Sequence, residues 1–218
     1  MSEPPVAEPE PRPSLAKQLL RRGRLIAFAA AFAIELAIFF GAMVYPLDPV
    51  QQKALLDQAN ALTNSATAQG PAGMFSAIFD NNLRVALLEM VPAAGALFFA
   101  VSIFTTGQVI QALAISSNLP GPLFGAALFF FPFAIVELSS YAVAVASGTL
   151  VLVAWRRKTL ASELRVYLLE GVVVVVAVLI AAAMETVGIV NPFVSFALWL
   201  PTALSIAMFV VYIRGRRG

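Results

Sequence analysis

The chain has 218 residues, 60% of them hydrophobic and 12% charged, with a mean hydropathy of +0.87. A soluble domain is about half apolar and about a quarter charged, so this composition excludes a soluble globular domain and indicates an all-α, polytopic membrane protein. The net charge is +2, with neither cysteine nor histidine, which excludes disulfides, thiolate or imidazole metal centres, a cysteine nucleophile, a Ser-His-Asp device and a histidine pH switch.

Met1–Pro13 carries five prolines and three glutamates. It has too little apolar surface to order itself, so residues 1–20 read as a disordered cytoplasmic tail and 21–218 as one transmembrane domain. A membrane-crossing helix needs about 20 apolar residues. The first such run is Leu25–Tyr45, interrupted once by Glu35. It follows the basic stretch Lys17–Arg24 but is too long for a signal peptide and lacks a small-x-small cleavage site, so it reads as an uncleaved anchor.

An extracytoplasmic helical loop is predicted over 46–82. Asp48-Pro49-Val50-Gln51 has the spacing of a capping box, with a short helix to about Leu62. Gly70-Pro71 breaks the chain. Met74, Phe75, Ile78, Phe79 and Leu83 then recur at helical spacing, as in an amphipathic helix on the outer leaflet that leads into the second span.

The run Leu83–Thr149 is too long for one span. Breaks at Thr105-Thr106-Gly107 and at Pro132 divide it into three. The alternative is one crossing plus a re-entrant hairpin around Asn118-Leu119-Pro120-Gly121-Pro122, so a broken or re-entrant helix is expected near 118–132. Tyr167–Val187 and Pro192–Tyr212 are the last two runs, joined across Gly188–Asn191, with Asn191 as N-cap and Pro192 at the first helical position. Trp155, Tyr45, Tyr167 and Tyr212 fall at span ends, as an aromatic belt requires.

Twelve of the 14 basic residues lie before the first span, in the loop Arg156–Arg165, or at the C-terminus. Cytoplasmic loops accumulate Lys and Arg, so both termini are expected in the cytoplasm of a multi-pass cell-membrane protein. The chain must then cross an odd number of times between Leu83 and Trp155. Three crossings give about six spans, and one gives four plus the re-entrant pair. The juxtamembrane Gly23 and Arg24 suit contact with anionic lipid.

Ionisable groups in hydrocarbon are costly and are functional candidates. Glu35 lies mid-span, and Glu89, Glu137 and Glu185 fall in the outer third, with Arg84 as the nearby cation and pairing partner. Glu137 stands out, because Pro132 precedes it and Ser139, Ser140 and Tyr141 follow. The small residues Ala142, Ala144, Ala146, Ser147 and Gly148 read as a helix-packing seam. No phosphate loop, G-x-S-x-G, H-E-x-x-H or intramembrane Asp pair occurs, and neither a metal nor a cofactor is called for.

Phe75–Leu88 (FSAIFDNNLRVALL), Phe104–Gly107 and Pro132-Phe133-Ala134-Ile135-Val136-Glu137 together resemble the stage II sporulation protein M family over about residues 20–213. The first segment is similar to the family's aromatic-rich turn with asparagines before an apolar span. The last resembles its Pro-His-Gly-x-x-Glu motif, keeping Pro132 and Glu137 but with Phe133 and Ala134 for His and Gly. Asn82 and Asn81 match as well. The resemblance implies a membrane platform, which in spore formers serves a peptidoglycan-remodelling machine whose partners do the cutting.

The function expected is therefore a non-enzymatic membrane scaffold or complex component. Its partners would be the lipid bilayer, proteins in the membrane or extracytoplasmic space, and further copies of itself, with no nucleic acid. The competing reading is a small transporter or channel that uses the buried carboxylates in the outer half of the bundle.

Overall fold

The computed structural model describes residues 18–215, so most of the predicted tail lies outside the described residues. Helix α1 (Arg22–Val44) is apolar apart from Glu35 near its middle. It ends at Tyr45, which Pro46 holds extended at φ −71°, ψ 126°. Helix α2 (Pro49–Thr67) opens with the predicted capping box. The Asp48 carboxylate accepts from the N–H groups of Val50 and Gln51, and the Asp48 N–H donates to the Gln51 side chain. The helix continues past Leu62 to Thr67, and the hydroxyls of Ser65 and Thr67 donate to carbonyls of its preceding turn, at 2.9 and 2.8 Å.

Helix α3 (Gly70–Met90) corrects the expectation of a surface helix followed by a separate span. It is one helix of 21 residues whose stripe Met74, Asn82, Ala86, Glu89 and Met90 is buried against the helices that follow. It stops because Pro92 cannot continue it. Ala93 then adopts φ 69°, ψ −59°, and the Ala94 N–H donates to the Pro92 carbonyl at 3.0 Å. This is a strained γ-turn, and the Ala93 side chain is exposed. Ala93→Gly is therefore expected to raise stability by about 1 kcal/mol, read as a higher midpoint of thermal unfolding in detergent. A lower midpoint would mean that the turn is not strained.

Helix α4 (Ala94–Ser116) runs without interruption through Thr105-Thr106-Gly107, which corrects the predicted break there. The Thr106 hydroxyl donates to the Ser102 carbonyl at 2.9 Å and leaves the helix intact. Gly107 instead admits a neighbour: a Cβ there would lie 2.6 Å from the Phe39 carbonyl oxygen of α1. Helix α5 (Gly121–Leu128) is the expected broken or re-entrant element. Its eight residues span about 12 Å, too short to cross a bilayer. Phe129, just beyond it, packs on Phe39 and Phe40 of α1.

Helix α6 (Pro132–Arg156) begins at the predicted proline, and its small residues Ala142, Ala144, Ala146, Ser147 and Gly148 are all buried, as the seam requires. Helix α7 (Leu160–Val190) has 31 residues and packs along α6. The Asn191 side chain accepts from the Val194 N–H at 3.3 Å and, with Pro192 behind it, starts α8 (Pro192–Ala197), which leads into α9 (Trp199–Gly215). The half-buried Tyr167 of α7 donates its hydroxyl to the Met90 carbonyl at 3.1 Å.

Among the described residues four helices, α1, α4, α6 and α7, are long and apolar enough to cross a membrane. Met90, which ends α3, lies against Gly148 of α6 and Tyr167 of α7, whereas Gly107 and Gly121 lie against Phe39 and Met43 near the end of α1. Helices α3, α4 and α6 therefore run in alternating directions. Arg24, Arg157 and Glu163 gather at one end of the bundle, the basic end. The α2 segment lies at the other, the loop end.

Candidate functional site

At the loop end a cavity of about 400 Å³ lies between α2, α3, α6 and α7. Asn81 and Asn82 of α3 line one wall, and Glu137 of α6 and Glu185 of α7 line another. The Asn81 amide donates to the Asn82 side-chain oxygen at 3.0 Å. Pro132 starts α6, and one and a half turns further on Glu137 reaches this cavity. Both glutamates are half-buried, because the cavity reaches them. The Tyr141 hydroxyl, one turn beyond Glu137, donates to its Oε1 at 2.9 Å. Ser140 donates instead to the Glu137 backbone carbonyl, at 2.6 Å.

Glu89 and Glu35 lie behind this wall and are fully buried, at 0% exposure each. Glu89 Oε1 accepts from the Ser102 hydroxyl at 2.6 Å, while its Oε2 and both oxygens of Glu35 have no hydrogen-bond partner. Glu35 lies in the electrostatic field of Glu89 and Glu137, and Tyr141 in that of Glu137, Glu89 and Glu185. The sequence places Glu89 in the outer third with Glu137 and Glu185, but its carbonyl lies against Gly148, well down α6 toward the basic end.

Arg84 is not the counter-ion that the sequence suggests. It is exposed on α3, and both ion pairs among the described residues belong to Arg24. Arg24 turns into the bundle and bridges Glu163 and Glu170 of α7. Glu170 also accepts from the Ser147 hydroxyl at 2.6 Å. Sequence reasoning passed over Glu170, although it lies seven residues after Glu163, on the same helical face, inside an apolar run.

The four carboxylates thus form one acidic field with no cation paired to it among the described residues. No three acidic side chains converge there at metal-holding distance among the described residues. Uncompensated charge in an apolar interior costs several kcal/mol per ion, so such a group holds a proton or a cation. The hydroxyls of Tyr141 and Ser102, each on a carboxylate, are groups through which a proton can pass.

The model of the family described as stage II sporulation protein M matches residues 26–188. No curated protein and no solved structure matches the chain.

Proposed function

The chain belongs to the stage II sporulation protein M family, and we propose that it is a non-enzymatic, multi-pass cell-membrane protein whose loop-end cavity takes up protons or a small monovalent cation through Glu137 and Glu185. The observation that carries this reading is the pairing of two cavity-lining carboxylates with two fully buried ones, Glu35 and Glu89, in one cation-free field among the described residues. The basic residues gathered at the opposite end support cytoplasmic termini and an outward-facing cavity. Glu137 and Glu185 would exchange with the outer aqueous phase. Tyr141 and Ser102 would link them to the deeper pair.

The test is a pH jump across proteoliposomes with a dye inside. Wild type should dissipate the gradient, and Glu137→Gln should slow dissipation by about 100-fold while its thermal unfolding is unchanged, the scale on which a positioned proton-transfer group acts. Wild-type vesicles no leakier than empty ones, under proton, sodium and potassium gradients alike, would end this reading.

A second reading is supported by α2. This capped helix of 19 residues is exposed along nearly its whole length, with Ala66 as its buried residue. Such a helix suits a platform that engages a protein with an extracytoplasmic domain, or another copy of itself. Crosslinking in the native membrane should then recover a stoichiometric partner through residues 49–67. Repeated recovery of the protein alone would remove this reading.

A further inference from the structure

Two cavities at the basic end share Arg24 and Leu150 and differ in chemistry. One, of about 350 Å³, is rimmed by Gln18, Arg21, Arg157, Thr159 and Ser162. The other, of about 370 Å³, adjoins it and is walled by Leu25, Phe28, Val143 and Val173, with Glu170 also on its lining. A polar, cationic chamber beside an apolar slot is the complement of an amphiphile. The charge balance gives its sign. Glu163 lies in the polar chamber, but Arg24 pairs with both Glu163 and Glu170. Arg21 and Arg157 are exposed and enter no ion pair among the described residues, so they leave the chamber positive.

We infer that this paired cavity is a binding site for an anionic phospholipid, its phosphate between Arg21 and Arg157 and an acyl chain along Leu25, Phe28 and Val143. The site lies at the far end of the bundle from the carboxylate cavity and does not depend on what that cavity takes up. Zwitterionic lipid would fill the slot equally but gain nothing from the net positive chamber. Selectivity therefore resides in the headgroup.

Trp155 is exposed on α6 next to Ala154, which lines the polar chamber, and serves as the reporter at this end of the bundle. The second tryptophan, Trp199, is removed as Trp199→Phe in the full chain. The protein is placed in phosphatidylcholine vesicles containing either dibrominated phosphatidylglycerol or dibrominated phosphatidylcholine, and quenching of Trp155 is read. Phosphatidylglycerol should reach half-quenching at a mole fraction lower by about tenfold, and Arg21→Gln with Arg157→Gln should abolish the difference, since each arginine near a headgroup acts on the scale of a few-fold.

Arg156→Gln with Lys158→Gln removes the same charge beside the cavity and should retain the preference. Equal quenching by both lipids in the Trp199→Phe protein would overturn the inference. So would an equal loss in the Arg156/Lys158 variant, which would make the preference a diffuse surface effect. Suppression of the difference by millimolar inorganic phosphate would assign the site to free anions and overturn it likewise. Should the Arg21/Arg157 variant fail to fold, the lipid comparison and the Arg156/Lys158 arm still decide.

Discussion

Arg24→Ala is expected to destabilise the protein by about 3–5 kcal/mol, because it leaves two carboxylates without their cation. The side chains of Arg24 and Glu170 are about one-tenth exposed, at 10% and 9%. Solvent can therefore do little for Glu170 once the guanidinium is gone. The bond to Ser147 would remain, but a hydroxyl carries no net charge. Arg24→Lys should recover only part of the loss, since one ammonium cannot reproduce a fork that addresses Glu163 and Glu170 together. Arg24→Met combined with Glu170→Gln should recover more than Arg24→Met alone, because the buried charge is removed with its partner. Thermal unfolding in a mild detergent separates these cases. An Arg24→Ala protein as stable as wild type would show that the bridge is not formed in the folded state.

Gly148→Val is expected to cost about 3 kcal/mol by forcing α3 and α6 apart. A Cβ at Gly148 would lie 2.5 Å from the Met90 carbonyl oxygen and 3.1 Å from its carbon, and both are backbone atoms that cannot rotate away. The Met90 carbonyl also ends a helix and lacks an intrahelical donor. It receives the Tyr167 hydroxyl at 3.1 Å, a bond that the displacement would break. Gly148→Ala should also destabilise, although alanine is the better helix former by about 1 kcal/mol. A stabilised Gly148→Ala protein, by the same unfolding measurement, would show that the helices do not approach this closely.

The local features of the fold were legible because neighbouring residues determine them. The Asp48 capping box, the Asn191-Pro192 helix start and the opening of α6 at Pro132 each rest on a few adjacent groups and on backbone sterics. The burial of Ala142–Gly148 was legible for a related reason, since small side chains inside an apolar run have little use except close approach. The break in the long apolar run was not. Thr105-Thr106-Gly107 looks like a turn, but hydroxyls bond within a helix and glycine serves as readily for helix contact. Pro92 makes the real turn, and its position moves Glu89 from the loop end to the level of Gly148.

The sequence by itself determined that this is a helical membrane protein, where α2, α6 and α8 start, that Glu35, Glu89, Glu137 and Glu185 are buried in or line the bundle, and to which family it belongs. Composition, proline and apolar length suffice for these, since each acts on its own segment. Only the tertiary structure decided which charges meet. Arg24 and Glu170 are 146 residues apart, and in sequence Arg24 is indistinguishable from the basic flank around it. Arg84 stands between Asp80 and Glu89 in sequence yet is exposed. A charge pair depends on which helix faces pack together, and that is set by the sum of side-chain contacts along every helix rather than by either residue's neighbours.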